Sequence, residues 1–260
     1  MPHPRQFRFG VINETTAQRD EWIAHVRRVE AYGYSTFLIR DHFVPDYFGD
    51  QFAPFAALTT AAHVTSSLRV GTLVIDNDYR HPVVLAKEAA TLDLLSGGRF
   101  ELGIGAGWLQ SEYEQAGLAY DPAAVRIGRL TEALAVLKGL FADAPVTFAG
   151  SHYRLANLTG FPKPTQRPHP PILIGAGHKC MLTLAGREAD IVGIMTTSVA
   201  SGQMVDDPFA RLSDRLAQQV AWVREGAGER FDEIELSTVP TIHLTDRRRA
   251  LTEQWIAERG

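Results

Sequence analysis

The chain has 260 residues, 45% of them hydrophobic and 22% charged, and a net charge of −4 at pH 7. That length and balance suit one large α/β domain and exclude collagen-like, disordered and disulfide-stapled classes, while the acidic sign offers no basic field for nucleic acid. A single cysteine, Cys180, excludes a disulfide framework and a cysteine-based zinc site. With no run of 18 or more apolar residues and no apolar signal core at the N-terminus, no membrane span is expected and the cytoplasm is the expected compartment.

Apolar runs rich in β-branched residues alternate with stretches of helical period. A first strand is predicted over Phe7 to Ile12. A helix follows over Ala17 to Tyr32, with Trp22, Val26 and Val29 on one face at spacings of four and three. Thr36 to Arg40 reads as the second strand, Pro54 to Val64 as the second helix and Leu68 to Ile75 as the third strand. Pro82 opens a third helix that Gly97-Gly98 closes after Leu95. Phe100 to Ile104 is the fourth strand, and a long helix runs from about Pro122 to Phe141.

The stretch 144–171 breaks the rhythm. Val146-Thr147-Phe148 and His152 to Leu155 flank Ala149-Gly150-Ser151 as a hairpin, and five prolines between Pro162 and Pro171 forbid a helix or central strand there. Alternation then resumes: Ile172 to Ile174, a helix over Met181 to Glu188, Ile191 to Met195, a helix over Phe209 to Arg224, and Ile234 to Leu244. Buried parallel strands joined by helices fit an open doubly wound sheet or a (β/α) barrel. The turn Asn13-Glu14-Thr15-Thr16 after the first strand cannot cradle a pyrophosphate, so the barrel is expected, as one domain over 1–260 with 144–171 as an insertion.

Barrel chemistry sits at the C-terminal ends of strands. Asp41-His42, after the second strand, is the acid/base candidate, because imidazole exchanges protons near neutral pH. The plainer alternative is that His42 caps its strand. His81, just before Pro82, reads as a capping or packing residue. Gly175-Ala176-Gly177 leads to His178-Lys179 at a helix start, where free N–H groups suit a phosphate. Gly103, Gly105 and Gly107 remove side chains from one face of the fourth strand, either for close packing or to admit a flat ring that Trp108 would line. Cys180 reads as a packing thiol, and Asp76-Asn77-Asp78 lacks metal spacing, so no metal is expected.

The run Arg69-Val-Gly-Thr-Leu-Val-Ile-Asp-Asn-Asp-Tyr-Arg-His-Pro82 continues through Lys87-Glu-Ala-Ala-Thr-Leu-Asp93, Ser96-Gly-Gly-Arg99 and Leu102-Gly-Ile-Gly-Ala-Gly-Trp108. With Pro171-Ile-Leu-Ile-Gly-Ala-Gly177 and Leu184-Ala-Gly-Arg-Glu-Ala-Asp190, it resembles the luciferase-like monooxygenase superfamily, and within it the F420-dependent oxidoreductases. The resemblance implies a (β/α)8 barrel of bacterial-luciferase type that binds coenzyme F420, or alternatively FMN, at its mouth. It further implies a small organic substrate and a homodimer.

By that resemblance Asp41 and His42 are catalytic, with His42 moving the proton. Leu73, Val74 and Asp76 lie by the ring near a non-prolyl cis peptide, with Gly105, Ala106, Gly107, Trp108 and Ser111 on the next wall. Gly175, Ala176, Gly177, His178 and Lys179 take the cofactor phosphate, and Thr196 follows the sixth strand. Two departures stand out. Where sugar-phosphate dehydrogenases of the family carry a catalytic glutamate after the fourth strand, this chain has Trp108, which argues against a sugar phosphate and leaves the acid/base role to His42 alone. Only Thr245 to Gly260 follow the seventh strand, so the eighth strand and helix are expected to be missing. The implied activity is hydride transfer from the reduced cofactor. Its rivals are FMN-dependent monooxygenation and a non-catalytic flavin-binding barrel, and the pocket is expected to be shaped by the loop after the fourth strand and by 144–171.

Overall fold

A computed structural model of the chain describes residues 7–195, 198–200, 202–205, 213–240 and 245–259. The first β-α units are β1 (Gly10–Asn13), α1 (Arg19–Ala31), β2 (Thr36–Ile39) and α2 (Pro54–His63). The third strand is split into β3 (Arg69–Thr72) and β4 (Ile75–Asp76), followed by α3 (Pro82–Leu95), β5 (Phe100–Gly105), a short α4 (Gln110–Ala116) and α5 (Ala123–Phe141). A hairpin, β6 (Val146–Ala149) and β7 (Arg154–Leu158), precedes β8 (Ile172–Ala176), α6 (Lys179–Glu188) and β9 (Ile191–Ile194). A second hairpin, β10 (Ser198–Ala200) and β11 (Gln203–Val205), leads to α7 (Ser213–Ala227), β12 (Glu235–Thr238) and α8 (Arg248–Arg259).

The main sheet runs in the order β1-β2-β3-β5-β8-β9-β12, with β4 paired to β5 off that path. All these pairings are parallel, as β-α-β crossovers require. Arg8, just ahead of β1, bonds Glu101 in β5 and Glu235 at the start of β12, each at 2.8 Å. The sheet therefore curls until its two ends face each other. Among the described residues β12 and β1 are not paired, which leaves the incomplete (β/α)8 barrel that the sequence predicts.

Local chemistry explains the element boundaries. The apolar face of α1 is buried as its spacing predicts, with Trp22, Val26 and Val29 at 5% exposure or less. Trp22 meets Phe37 of β2 edge-on at 5.9 Å, and each such buried side chain is worth about 1.5–3 kcal/mol. His81 caps α3, its Nδ1 accepting the Val83 N–H at 3.3 Å. At the other end Gly97 and Gly98 take φ of 67° and 79°, a region that glycine enters without steric cost.

The sequence reading departs from the structure in two elements. The third strand is not continuous over Leu68 to Ile75. It breaks at a cis peptide bond between Leu73 and Val74, the feature that the family resemblance implies. The insertion 144–171 forms the predicted hairpin but does not shape the pocket. Glu132 of α5 accepts the N–H groups of Ser151, His152 and Tyr153 at 2.7, 2.9 and 3.1 Å, which fastens the turn to the outside of the barrel. Ile234 to Leu244 is strand only over β12, and residues 241–244 lie outside the described residues. The predicted helix start at Phe209 also lies outside them.

Candidate active site

β2 delivers Asp41 and His42 to the C-terminal mouth of the barrel, where a cavity of about 1490 Å³ opens. The two neighbours have different partners. Asp41 is 4% exposed, and both of its oxygens face the Arg80 guanidinium, at 2.5 and 3.1 Å. It also accepts the Asp76 N–H at 3.2 Å. Its carboxylate is committed to holding the end of β2 against β4. Asp41 lines the cavity, yet its geometry is that of a positioning residue.

His42 Nδ1 lies 2.9 Å from Oε2 of Glu112, a residue 1% exposed in the first turn of α4. Glu112 also accepts the Tyr79 hydroxyl at 2.8 Å, the Val44 N–H at 3.3 Å and the Phe43 N–H. Burial pushes the Glu112 carboxyl up. His42, the Phe43 N–H and Tyr79 outweigh it and hold the group below the usual carboxylate value. An ionised carboxylate only accepts hydrogen bonds, so Nδ1 of His42 carries its hydrogen toward Glu112 and Nε2 is the ring atom left for other chemistry. Sequence reasoning missed Glu112, the carboxylate that α4 folds back onto His42.

Val74, just past the cis bond, turns its side chain into the barrel. A Cβ on Gly105 would lie 2.8 Å from Val74 Cγ2, and Cβ atoms on Gly103 and Gly175 would lie 3.2 and 3.5 Å from Cγ1. The alternating glycines therefore make a socket for Val74 instead of an opening for a flat ring. Gly103 also abuts the Thr72 carbonyl, where a Cβ would approach within 1.8 Å. Gly107, at φ 72°, leaves space for the Tyr113 hydroxyl and the Asp76 carboxylate. Val74 and Leu73 thus form an apolar cavity floor.

Asp76, 7% exposed, accepts the Asp78 N–H at 2.9 Å and the Tyr113 hydroxyl at 2.8 Å. Burial raises its carboxyl to about 7, aided by the nearby charges of Asp78 and Asp41 and opposed by those two hydrogen bonds. Arg126, missed by the sequence reading, is 7% exposed and pins the turn after β5. It donates to the carbonyls of Ala106 at 3.1 Å, Asp121 at 2.9 Å and Gly107, and to the Tyr120 hydroxyl at 3.1 Å.

Of the residues assigned to the cofactor, Leu73, Val74, Asp76, Gly105, Ala106, Gly107, Trp108 and the segment Gly175 to His178 all line the cavity. Lys179 does not; its ammonium turns outward to Glu225 at 3.1 Å. Ser111 lines a separate, smaller pocket of about 500 Å³ and bonds Asp46 at 3.4 Å. Cys180, expected to be a packing thiol, is exposed and lines the large cavity. No residue of 144–171 reaches that cavity. Thr196 lies outside the described residues. Among the described residues no helix is long and apolar enough to cross a membrane.

The sequence model of the luciferase-like monooxygenase family matches residues 6–258. The chain is similar to an F420-dependent glucose-6-phosphate dehydrogenase from Intrasporangium calvum, 31% identical over 222 residues, which cover 84% of this chain and 65% of that protein. It is also similar to an FMNH2-dependent dimethylsulfone monooxygenase from Pseudomonas putida, 28% identical over 187 residues, covering 70% of this chain and 51% of that one. Among solved structures, the F420-dependent tetrahydromethanopterin reductase of Methanopyrus kandleri superposes with a TM-score of 0.73 at 24% identity, over 90% of this chain and 65% of the other. This chain thus spans about two thirds or less of these relatives.

Proposed function

The chain belongs to the luciferase-like monooxygenase family, and within it we propose an oxidoreductase that uses reduced coenzyme F420 to reduce a small organic substrate, with His42 as proton donor. The observation that carries this reading is the His42–Glu112 pair at 2.9 Å on the wall of a cavity of about 1490 Å³. Such a volume exceeds the roughly 300–1,000 Å³ of single-ligand pockets and has room for a cofactor and a substrate together.

The residues fit such a group. Leu73 and Val74 offer an apolar floor for a flat ring, and Gly175 to His178 bring the N-terminus of α6 to the cavity, where backbone N–H groups suit a phosphate. When bound, F420 supplies a hydride. His42 supplies the proton that must accompany it: Nε2 donates to the substrate oxygen, and the Glu112 carboxylate fixes the ring through Nδ1. Asp41 and Arg80 hold the strand end from which His42 projects. A homodimer and a cytoplasmic setting belong to the same proposal; size-exclusion chromatography at a single-chain mass would remove the first.

The likeness to an FMNH2-dependent monooxygenase supports a second reading, in which FMN occupies the same floor. Titration of the protein with F420 and with FMN, followed by cofactor fluorescence, separates the two. Saturable quenching of F420 with the weaker response for FMN is expected. The reverse order moves the assignment to FMN, and binding of neither overturns the enzyme reading.

A further inference from the structure

Around His42 the cavity wall is aromatic. Phe48 lies 5.2 Å from the imidazole at 32°, and Trp108 approaches it edge-on at 6.0 Å. Tyr47 reaches Trp108 at 5.6 Å, and Phe48 and Trp108 lie 6.4 Å apart. The loop bearing Tyr47 and Phe48 is firmly built. Gly49 N–H bonds the Pro45 carbonyl at 2.9 Å, and the Gln51 amide reaches the carbonyls of Phe48 and Glu14 at 2.9 and 3.0 Å. Within it Tyr47 has a φ of 67°, a conformation that side chains other than glycine rarely adopt and that clusters at functional sites.

Among the described residues, the arginines and the carboxylates nearest His42 are already paired within the protein. Arg40 lies 3.9 Å over the Phe48 ring and is paired with Glu14. Arg126 is taken up by three carbonyls and the Tyr120 hydroxyl. Asp41 and Glu112 are held by Arg80 and His42. A substrate anion reaching His42 would shed its water while Arg40, Arg80 and Arg126 are already engaged, which is unfavourable. An uncharged molecule with an apolar flank gains contact with Phe48 and Trp108 instead.

We propose that Phe48 and Trp108, the latter backed by Tyr47, form an aromatic subsite beside His42 that selects an uncharged carbonyl or alcohol compound with an apolar flank and rejects sugar phosphates. This assignment rests on the role given to His42 above and names the substrate class of that site.

The test uses cyclohexanone and glucose 6-phosphate, titrated separately into the full chain without cofactor and again with F420, and followed by ligand-detected NMR. Cyclohexanone should bind saturably and at least about tenfold more tightly than glucose 6-phosphate, and Trp108→Ala should weaken it by about tenfold while Trp108→Phe recovers most of the loss. Circular dichroism confirms that both variants are folded; should Trp108→Ala not fold, Phe48→Ala serves in its place with the same expected loss. Equal or tighter binding of glucose 6-phosphate, or cyclohexanone affinity unchanged by the alanine variant, overturns the proposal. The cofactor-free arm keeps the two readings apart. Failure of F420 and FMN to bind removes the enzyme reading, whereas failure of the ketone alone removes only the subsite.

Discussion

Buried polar pairs stand at both ends of this sheet, and they are built differently. At the N-terminal end of the strands Glu101, 4% exposed, accepts Arg8 at 2.8 Å and Arg69 at 2.6 Å, and Arg8 extends to Glu235. At the C-terminal end sit Asp41 with Arg80, His42 with Glu112, and Asp76 with Tyr113. The first set uses guanidinium groups, which do not give up protons, and ties β1, β3, β5 and β12 together away from the cavity. The second set contains an imidazole and a carboxyl raised to about 7, both on the cavity wall. Pairing at one end fixes strands, and at the other it holds an imidazole and a carboxyl against the cavity, where the chemistry of (β/α) barrels sits.

Three substitutions would break or sharpen that contrast. His42→Ala should lower turnover by about 10²–10⁴-fold while the melting temperature moves by only a few degrees, since the change removes a proton donor from a solvent-reachable wall. Unchanged turnover would strip the mouth of its distinctive role. Glu101→Gln should do the opposite. Breaking a buried pair costs up to about 3–5 kcal/mol, but its arginines are 30% and 29% exposed, so about 1–3 kcal/mol is expected in urea unfolding. Turnover per folded molecule should stay the same; a matching loss of turnover would erase the distinction.

Asp76→Asn is read from a pH slope instead of a single value, and its sign is the most diagnostic. The Asp76 carboxyl is raised from 3.8 to about 7, so between those values the folded protein keeps a proton that the unfolded chain releases. Stability from this group is fully present below the lower value, falls as pH rises toward 7 and is flat above it. The asparagine variant should flatten that slope in unfolding measured from pH 4 to 8. A slope equal to that of the parent would show that Asp76 does not hold the proton.

Much of the frame was legible in the chain order. Trp22, Val26 and Val29 mark a helix face by spacing alone, Pro82 and Gly97-Gly98 bracket α3, and Asp41-His42 falls at a strand end. What remained hidden depends on distant partners. Glu112 is 70 residues from His42, and only the fold of the short α4 brings them together. The split of the third strand lies inside an unbroken apolar run, so periodicity reads straight through it. The glycines of β5 carry the same signal whether the vacated space receives a ligand or another strand's side chain, and here Val74 fills it. Lys179 and Ser111 sit beside true cavity residues in sequence, but one turn of helix directs each away from it.

That Val74 socket also governs how the site can be redesigned. The glycines at 103 and 105 sit close against the methyl groups of Val74, with Gly175 in ordinary contact, so a longer side chain at position 74 has room only toward the cavity that Val74 lines. A shorter one would open a hollow beneath whatever rests on it. The base of the chamber can therefore be lowered by trimming Val74 or raised by lengthening it, while Gly103 and Gly105 of β5 and Gly175 of β8 keep the seat behind it fixed.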